Sequence, residues 1–216
     1  MNKPITAEFI DALESNASSF GVELSGAGIS QLASYYELLL RWNPRLHLVA
    51  PCSPPEFATR HILESLLLVA HLPNNARVVD VGSGAGLPML PCLIARSDLH
   101  ATLIESSPKK TVFLREAVKH LKLDERATVI AKRFEDMAPV KADAITCRAL
   151  DRFSEMLPRL IEWSPPRSSL FLFGGDSLLM KVTATGLHFE SVHVPCSDRR
   201  RLMILRKPAA RERLPD

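Results

Sequence analysis

The chain has 216 residues, of which 46% are hydrophobic and 24% charged, a balance that is ordinary for a globular enzyme and excludes a disordered or fibrous protein. The formal net charge of +3 is too small to indicate a partner by itself. The length fits one α/β domain with an N-terminal helical extension better than it fits two full domains.

The N-terminus and the cysteines predict where the protein works. The first residues, MNKPITAEFIDALE, carry acidic side chains and no long apolar run, unlike a secretory signal. The apolar stretch HILESLLLVAHL is interrupted by Glu64 and is too short to span a bilayer. Cys52, Cys92, Cys147 and Cys196 lack the spacing of a zinc site or a disulfide framework. We therefore expect a reduced, cytoplasmic protein without a metal and without a membrane contact.

Two helices are predicted in the first third of the chain. Apolar side chains recur at helical spacing in GISQLASYYELLLRW, residues 28–42. The segment SPPEFATRHILESLLLVAHL, residues 53–72, offers Ser53 as a cap, Pro54 in the first turn and an apolar stripe beyond. We assign residues 1–73 to a helical extension, in which Trp42 is expected to anchor the extension against the sheet that follows.

After the turn-like PNNA, short β-branched runs alternate with helical segments. The runs are VVDV at 78–81, ATLIE at 101–105, ATVI at 127–130, DAITC at 143–147 and LFLF at 170–173. The helical segments lie near residues 86–96, 108–121 and 153–163. Strands that alternate with crossover helices predict an α/β fold with a mostly parallel, doubly wound sheet.

The C-terminal part predicts an antiparallel ending of that sheet. Two strands, FESVHVP and RLMILR, follow a short helix near 176–183, and the loop CSDRR between them is too short for a crossover helix. Such an ending is typical of seven-stranded methyltransferases, so we assign residues 74–207 to a methyltransferase domain and 208–216 to a tail. From residue 195 onward there are seven basic and three acidic residues, which either a solvated segment or an RNA contact would explain.

A glycine-rich turn follows the first predicted strand. It reads Asp80, Val81, Gly82, Ser83, Gly84, Ala85, Gly86, Leu87, Pro88. Glycines at alternate positions let the backbone turn tightly and approach a ligand, although a tight turn that serves helix packing would look the same. The GxGxG spacing differs from the GxGxxG of pyrophosphate-binding turns, which favours S-adenosylmethionine over NAD as the cofactor.

Further candidate cofactor residues stand where the next strands end. Glu105 ends the second strand, the position of an acid that accepts hydrogen bonds from ribose hydroxyls. Arg133, Phe134 and Glu135 follow the third strand and Arg148 ends the fourth, so all should face one crevice. Phe134 would cover the adenine ring, but a core phenylalanine and a surface ion pair explain these residues equally well.

In these segments the sequence resembles the ribosomal RNA small subunit methyltransferase G family, also called the glucose-inhibited division protein B family. The resemblance extends from Arg41 to about Arg206. It rests on RWN at 41–43, RHILES at 60–65, VDVGSGAGLPMLP at 79–91, LIESSPKKTVFLRE at 103–116, RFED at 133–136 and CRAL at 147–150. It implies a class I, Rossmann-like methyltransferase fold and transfer of a methyl group from S-adenosylmethionine to the N-7 position of a guanine in 16S ribosomal RNA.

The resemblance also implies a set of site residues and shows where this chain departs from the family. The implied cofactor contacts are Gly82, Leu87, Phe134, Glu135 and Arg148, with Gly84, Gly86 and Glu105 completing the pocket. The family usually has asparagine at the position of His47, aspartate at those of Glu64 and Glu105, and a lysine before glycine at Gly174 and Gly175. The missing lysine removes a positive charge near the expected substrate side.

The implied reaction needs no catalytic acid or base, because the guanine N-7 carries a free lone pair and positioning alone suffices. Candidate RNA-binding residues are Arg60, His61, Lys109, Lys110 and Arg115, although a histidine packed near the sheet and a solvated helical turn would also explain them.

The expected partner is small-subunit ribosomal RNA or the 30S subunit, and the expected state is a monomer. Two other functions stay open: methylation of another acceptor, and a non-catalytic role in binding RNA or cofactor, which the absence of the lysine suggests. An NAD-linked oxidoreductase is disfavoured by the glycine spacing and by the absence of a second substrate domain.

Overall fold

The computed structural model describes residues 5–148 and 153–207. The last two positions of the CRAL motif and the predicted tail at 208–216 lie outside the described residues. The α-helices are α1 Ile5–Asn16, α2 Gly26–Leu46, α3 Pro54–Phe57, α4 Glu64–Leu66, α5 Met89–Ala95, α6 Pro108–His120, α7 Phe153–Trp163 and α8 Asp176–Ala184. The strands are β1 Arg77–Val81, β2 His100–Ile104, β3 Ala127–Ile130, β4 Ala144–Arg148, β5 Ser169–Gly174, β6 Phe189–His193 and β7 Arg201–Arg206.

The seven strands form one sheet in the order β3-β2-β1-β4-β5-β7-β6. The five strands β1 to β5 pair in parallel. The last strand, β7, inserts antiparallel between β5 and β6. The predicted mostly parallel sheet with an antiparallel end is confirmed. Because chain order reverses on either side of β1, the carboxyl ends of β1 and β4 open a crevice for a ligand.

The two faces of the sheet bury two separate apolar cores. Successive side chains of a strand point to opposite faces, so neighbours such as Val78 and Val79 contribute to different cores. One core is shared with α1, α2, α5 and α6, and the other with α7 and α8. Every crossover helix therefore covers an apolar face, and the glycine-rich turn is held between β1 and α5.

The N-terminal helices pack as one layer over the first of these cores. Phe9 of α1 stacks on Tyr36 of α2 with ring centroids 4.5 Å apart, and Tyr36 stacks on Phe57 at 4.7 Å. Trp42 donates a hydrogen bond from Nε1 to the carboxylate of Glu116 at 3.1 Å, so it anchors the extension to α6 rather than to the sheet itself. The boundary at residue 73 stays a prediction. Among the described residues, no helix is both long and apolar enough to cross a bilayer.

The helical segment predicted at 53–72 is not a single regular helix. Ser53 caps it as predicted, accepting a hydrogen bond from the Glu56 backbone N–H at 3.3 Å. Between α3 and α4, however, residues Ala58–Leu63 form a π-helix, and a 3₁₀ turn at Leu67–Ala70 ends the segment. A π-helix bonds residue i to residue i+5 instead of i+4, and such segments often occur at functional sites.

Candidate functional site

A cleft with a volume of about 620 Å³ opens at the carboxyl ends of the central strands. That volume lies within the usual range for small-molecule sites. The cleft is lined by the loop Leu48, Val49 and Ala50, by His61, by Val81, Gly82, Ser83, Gly84, Ala85 and Leu87, by Ile104, Glu105, Ser106 and Lys110, and by Lys132, Arg133, Phe134, Glu135, Arg148 and Met156. Most of the residues proposed from the sequence are thus brought together.

The glycine-rich turn forms the floor of the cleft. The backbone N–H groups of Gly82 and Ser83 both donate to the carbonyl of Ile104, at 2.9 and 3.1 Å, which ties the turn to the end of β2. Gly84 has a φ of 54°, and a Cβ there would meet only the Gly82 carbonyl, at 3.8 Å. The turn therefore leaves open space above Gly84 into which a ligand can settle.

Gly86 lies where the glycine-rich turn packs against two helices. It does not line the cleft, and a Cβ at this position would lie 2.3 Å from Leu90 Cδ1 and 3.3 Å from Leu114 Cδ2. Its φ of 83° also disfavours any other residue. The alternative interpretation, a tight turn that serves helix packing, therefore fits Gly86, because α5 and α6 approach too closely for a side chain. A cofactor contact of Gly86 stays a prediction.

Glu105 is held rigidly at the edge of the cleft. Its Oε2 accepts a hydrogen bond from the Gly84 backbone N–H at 2.9 Å, and its Oε1 accepts one from the Ser107 N–H at 2.7 Å. Only 7% of the residue is exposed. A carboxylate has about four acceptor positions. Each oxygen can therefore take a second hydrogen bond from a bound ligand, as the ribose hypothesis requires.

Asp80 lies directly beneath the turn and is fully buried. Ser83 donates its hydroxyl to the Asp80 backbone carbonyl at 3.0 Å, but neither carboxylate oxygen has a hydrogen-bond partner in the described part of the chain. Burial disfavours the charged form and raises the pKa of Asp80 to about 8, although the nearby Ser83 hydroxyl opposes the shift. The turn thus rests on an acid that is mostly protonated at neutral pH.

The guanidinium of Arg148 lines the cleft but faces the π-helix. Its Nη2 donates to the Arg60 carbonyl at 2.6 Å and lies 3.1 Å from His61 Nδ1. Its Nη1 donates to the His61 carbonyl at 3.3 Å and to Ser65 Oγ at 3.2 Å. The side chain predicted to contact the cofactor thus braces two carbonyls of the π-helix, and a cofactor contact stays a prediction.

Glu64 connects this brace to the loop between β6 and β7. Its Oε1 accepts a hydrogen bond from Arg200 Nη2 at 2.6 Å and lies 3.7 Å from Arg148 Nη2. Glu64 is only 1% exposed, and burial raises the pKa of its carboxyl although both arginines oppose the shift. Arg200, one of the basic residues after position 195, is therefore fixed by a buried partner that lies 136 residues away along the chain.

Phe134 belongs to the core as well as to the cleft. It is 3% exposed and meets Trp163 edge-on, with ring centroids 5.5 Å apart. Its neighbours Arg133 and Glu135 are exposed and line the cleft beside it. Phe134 is thus a core residue, as one of the alternative interpretations held. Its role in covering an adenine ring stays a prediction.

The candidate RNA-binding residues divide into two groups. His61 and Lys110 line the cleft, whereas Arg60, Lys109 and Arg115 are exposed outside it. Arg60 forms an ion pair with Glu56 one turn earlier. Burial, together with the charge of Arg148, lowers the pKa of His61 to about 3, so its ring is neutral at physiological pH. The exposed residues stay candidates for phosphate contacts.

The loop at Leu48–Ala50 is a wall of the cleft that sequence reasoning missed. Asn43 fixes it, donating Nδ2 to the Val49 carbonyl at 3.1 Å and accepting the Val49 N–H at 3.0 Å. His47 begins this loop with a φ of 47°, a conformation in which asparagine and histidine are both enriched. Asn43 belongs to the RWN motif, so that motif was the sequence feature that could have indicated the loop. At position 47 the left-handed backbone accommodates histidine where the family usually has asparagine.

The space that a side chain at Gly174 would need is filled by the side chain of Leu178. A Cβ on Gly174 would lie 2.5 Å from Leu178 Cδ2 and 2.9 Å from Leu178 Cβ. Leu178, in the first turn of α8, is 8% exposed and packs against the end of β5. Glycine at 174 is therefore matched to its surroundings in this chain, and a lysine there would need α8 to shift.

Comparison with known proteins gives one consistent result. The model of the family described as rRNA small subunit methyltransferase G matches residues 28–192. The chain is 31% identical to Ribosomal RNA small subunit methyltransferase G of Pseudomonas entomophila, over 97% of this chain and 100% of the relative. It is 38% identical to the protein of that name from Chromobacterium violaceum, over 67% of this chain and 69% of the relative.

Solved structures share the fold at low sequence identity. P. horikoshii TYW2 in complex with MeSAdo has a TM-score of 0.55 and 18% identity, covering 68% of this chain and 62% of that one. M. jannaschii TYW2 in complex with AdoMet has a TM-score of 0.55 and 16% identity, covering 69% and 76%. A SAM dependent methyltransferase from Aquifex aeolicus has a TM-score of 0.56 and 16% identity, covering 70% and 93%. These similarities confirm the predicted class I methyltransferase fold.

Proposed function

Because the chain belongs to the rRNA small subunit methyltransferase G family, we propose that it methylates the N-7 position of a guanine in 16S ribosomal RNA. It is an S-adenosylmethionine-dependent methyltransferase of small-subunit ribosomal RNA with a class I fold. The resemblance to the family supports the choice of the N-7 atom, and the acceptor is either free RNA or the assembled 30S subunit.

The observation that carries the proposal is the pairing of Gly84 with Glu105 at the floor of the cleft. The residues fit S-adenosylmethionine, because the space above Gly84 is open and Glu105 keeps acceptor positions for two ribose hydroxyls. The GxGxG turn lacks the spacing that binds a pyrophosphate. This agrees with S-adenosylmethionine, which contains no pyrophosphate. When bound, the cofactor supplies a methyl group activated by a positively charged sulfur.

The protein contributes position rather than proton transfer. The guanine N-7 has a lone pair in its neutral form, so methyl transfer needs no base, and alignment of acceptor and methyl group lowers the barrier. Gly82, Gly84 and Glu105 would hold the cofactor, and the hydrogen bonds of Arg148 to the π-helix fix another part of the cleft wall. The cofactor roles of Gly86, Leu87, Phe134, Glu135 and Arg148 are parts of this proposal that ligand binding has to test.

Positive charge at the rim suits a phosphate backbone. Lys110, Lys132 and Arg133 line the cleft, while Lys109 and Arg115 are exposed on α6 nearby in sequence. Cations that neutralise phosphates make nucleic-acid affinity fall as salt rises. We expect these residues to contribute such salt-dependent affinity and to carry little information about the target base.

The decisive experiment incubates the purified protein with radiolabelled S-adenosylmethionine and with 16S ribosomal RNA or 30S subunits that lack the modification. Mapping of the labelled nucleotide should show one guanine methylated at N-7. Label at another atom or on another RNA would overturn the N-7 assignment. Calorimetric binding of the cofactor without any transfer would instead indicate a binding-only relative.

A matched pair of variants tests the cofactor site. Gly84→Asp places a carboxylate in the open space above the turn, and aspartate tolerates the φ of 54°, so we expect cofactor binding to be lost from a folded protein. Gly26→Asp makes the same substitution where a Cβ meets nothing within 4 Å, at the start of α2, where a negative charge is favourable. Tight cofactor binding by a folded Gly84→Asp protein would refute the site.

A further inference from the structure

His61 stands in the wall of the cleft with its ring fixed in place. It lies in the π-helix Ala58–Leu63, and its ring packs against Phe57 with centroids 5.1 Å apart. The residue is partly exposed and lines the cleft. Since the Arg148 side chain also holds the backbone carbonyl of His61, both the main chain and the ring of this residue are immobilised.

The contact with Arg148 determines which ring nitrogen carries the proton. Arg148 Nη2 lies 3.1 Å from His61 Nδ1. A guanidinium has only donors, so Nδ1 has to be the acceptor and cannot itself be protonated. In a neutral imidazole the hydrogen then resides on Nε2. The arginine therefore fixes one tautomer, with an N–H group at the tip of the ring.

That N–H group has no hydrogen-bond partner among the described residues. Within residues 5–148 and 153–207, the ring of His61 forms a hydrogen-bond contact through Nδ1 and none through Nε2, and the residue lines the cleft. The cleft wall thus presents a single donor whose direction is set by the packing of the ring. Such a preorganised donor can select among ligands by their pattern of acceptors.

The edge of guanine that bears N-7 carries a second acceptor, O6, next to it. Adenine presents N-7 together with the amino group N6, which is a donor. A donor that pairs with O6 would leave N-7 free to attack the methyl group and would meet the adenine amino group unfavourably. It would therefore both orient the base and discriminate between the two purines.

We propose that His61 determines the specificity of the reaction, its Nε2–H donating a hydrogen bond to O6 of the target guanine. The inference rests on the proposed function, since it presupposes a guanine acceptor. It assigns to one atom a role that the general expectation of RNA binding did not specify. The competing role for His61 is purely structural: a brace for Arg148 that never touches the base.

Two substitutions separate these roles. In His61→Asn the amide oxygen occupies roughly the place of Nδ1, so Arg148 keeps its acceptor while the donor at Nε2 is lost. In His61→Gln the amide nitrogen reaches roughly the place of Nε2, so a donor is kept while the acceptor at Nδ1 is lost. Calorimetric affinity for S-adenosylmethionine monitors the fold and the cofactor site in both variants.

We expect His61→Asn to lose about tenfold to a hundredfold in kcat/KM for 16S ribosomal RNA, with cofactor affinity unchanged, because one base contact is lost. His61→Gln should keep more activity than His61→Asn. A brace alone predicts the reverse order, with His61→Asn close to wild type and His61→Gln impaired, and that result would overturn the proposal. Equal activity of both variants and wild type would overturn it as well.

A substrate change supplies the specificity readout. In 16S ribosomal RNA with adenine at the target position, wild type should transfer no methyl group to that base. The glutamine amide can turn its oxygen toward the amino group N6 of adenine and accept a hydrogen bond from it. The ratio of guanine to adenine methylation should therefore fall in His61→Gln, and an unchanged ratio would contradict the proposal. If wild type makes no N-7-methylguanine at all, both proposals fail, whereas labelled wild type with unaffected variants refutes the role of His61 alone.

Discussion

Replacement of Asp80 by asparagine should remove a pH dependence of stability that originates beneath the glycine-rich turn. In the folded, cofactor-free protein Asp80 is fully buried, its carboxylate has no partner among the described residues, and its pKa is raised from 3.8 to about 8. In the unfolded chain the same carboxyl is ionised above about pH 4. Between these two values only the folded protein binds the proton.

The sign of the effect follows from this difference in bound protons. Stability falls with rising pH wherever the folded state binds more protons than the unfolded state. Asp80 therefore stabilises the fold fully below pH 4, and its contribution is lost progressively up to about pH 8. Since one pKa unit corresponds to about 1.4 kcal/mol, wild type should lose about 3 to 4 kcal/mol of unfolding free energy between pH 5 and pH 8 through this group.

Urea unfolding of wild type and Asp80→Asn at pH 5, 7 and 8 measures this loss. The amide does not titrate, so the variant should not lose this contribution as the pH rises. Its free energy of unfolding should therefore increase relative to that of wild type by about 3 kcal/mol from pH 5 to pH 8. The absolute stability of the variant also contains the cost of burying an amide, about 1 to 3 kcal/mol, which the comparison across pH cancels. Glu190→Gln, at an exposed position of β6, serves as the control. A difference between wild type and Asp80→Asn that stays constant with pH would refute the reasoning.

Two further predictions concern stability. Gly86→Ala should destabilise the fold by about 2 to 4 kcal/mol, since the added methyl group overlaps a side chain of α5 and the backbone has a positive φ. Gly21 serves as the control, because its φ is 64° and a Cβ there meets nothing within 4 Å. Gly21→Ala should therefore destabilise the fold by only about 1 kcal/mol. Equal shifts of the urea midpoint would show that crowding is unimportant. Arg200→Ala should lower the free energy of unfolding by about 2 kcal/mol, because the buried Glu64 then keeps the more distant Arg148 but loses its hydrogen bond to Arg200. Arg199 is exposed, so Arg199→Ala should change the free energy of unfolding by less than about 0.5 kcal/mol. Similar urea curves for the two arginine variants would contradict the importance of the ion pair.

The elements of the fold could be predicted because their signals are local. Runs such as ATVI and RLMILR coincide with β3 and β7, and the short loop between the last two strands sufficed to predict their antiparallel pairing. The glycine spacing and the position of Glu105 at the end of a strand located the cleft for the same reason: a crevice at the carboxyl ends of parallel strands needs only the order of elements. The first helix, Ile5–Asn16, was not predicted individually, since its stability comes from aromatic contacts with distant residues.

The arrangement of charged groups around the cleft was decided only by the tertiary structure. Arg148 contacts residues 83 to 88 positions earlier, and Arg200 reaches Glu64 across 136 positions, separations at which sequence periodicity carries no information. Arg148 also donates to the carbonyls of Arg60 and His61 within the π-helix, contacts that no local pattern indicates. Local sequence determined which strands and turns form. The folded sheet alone determined which side chain each buried charge meets, and with it the tautomer of His61.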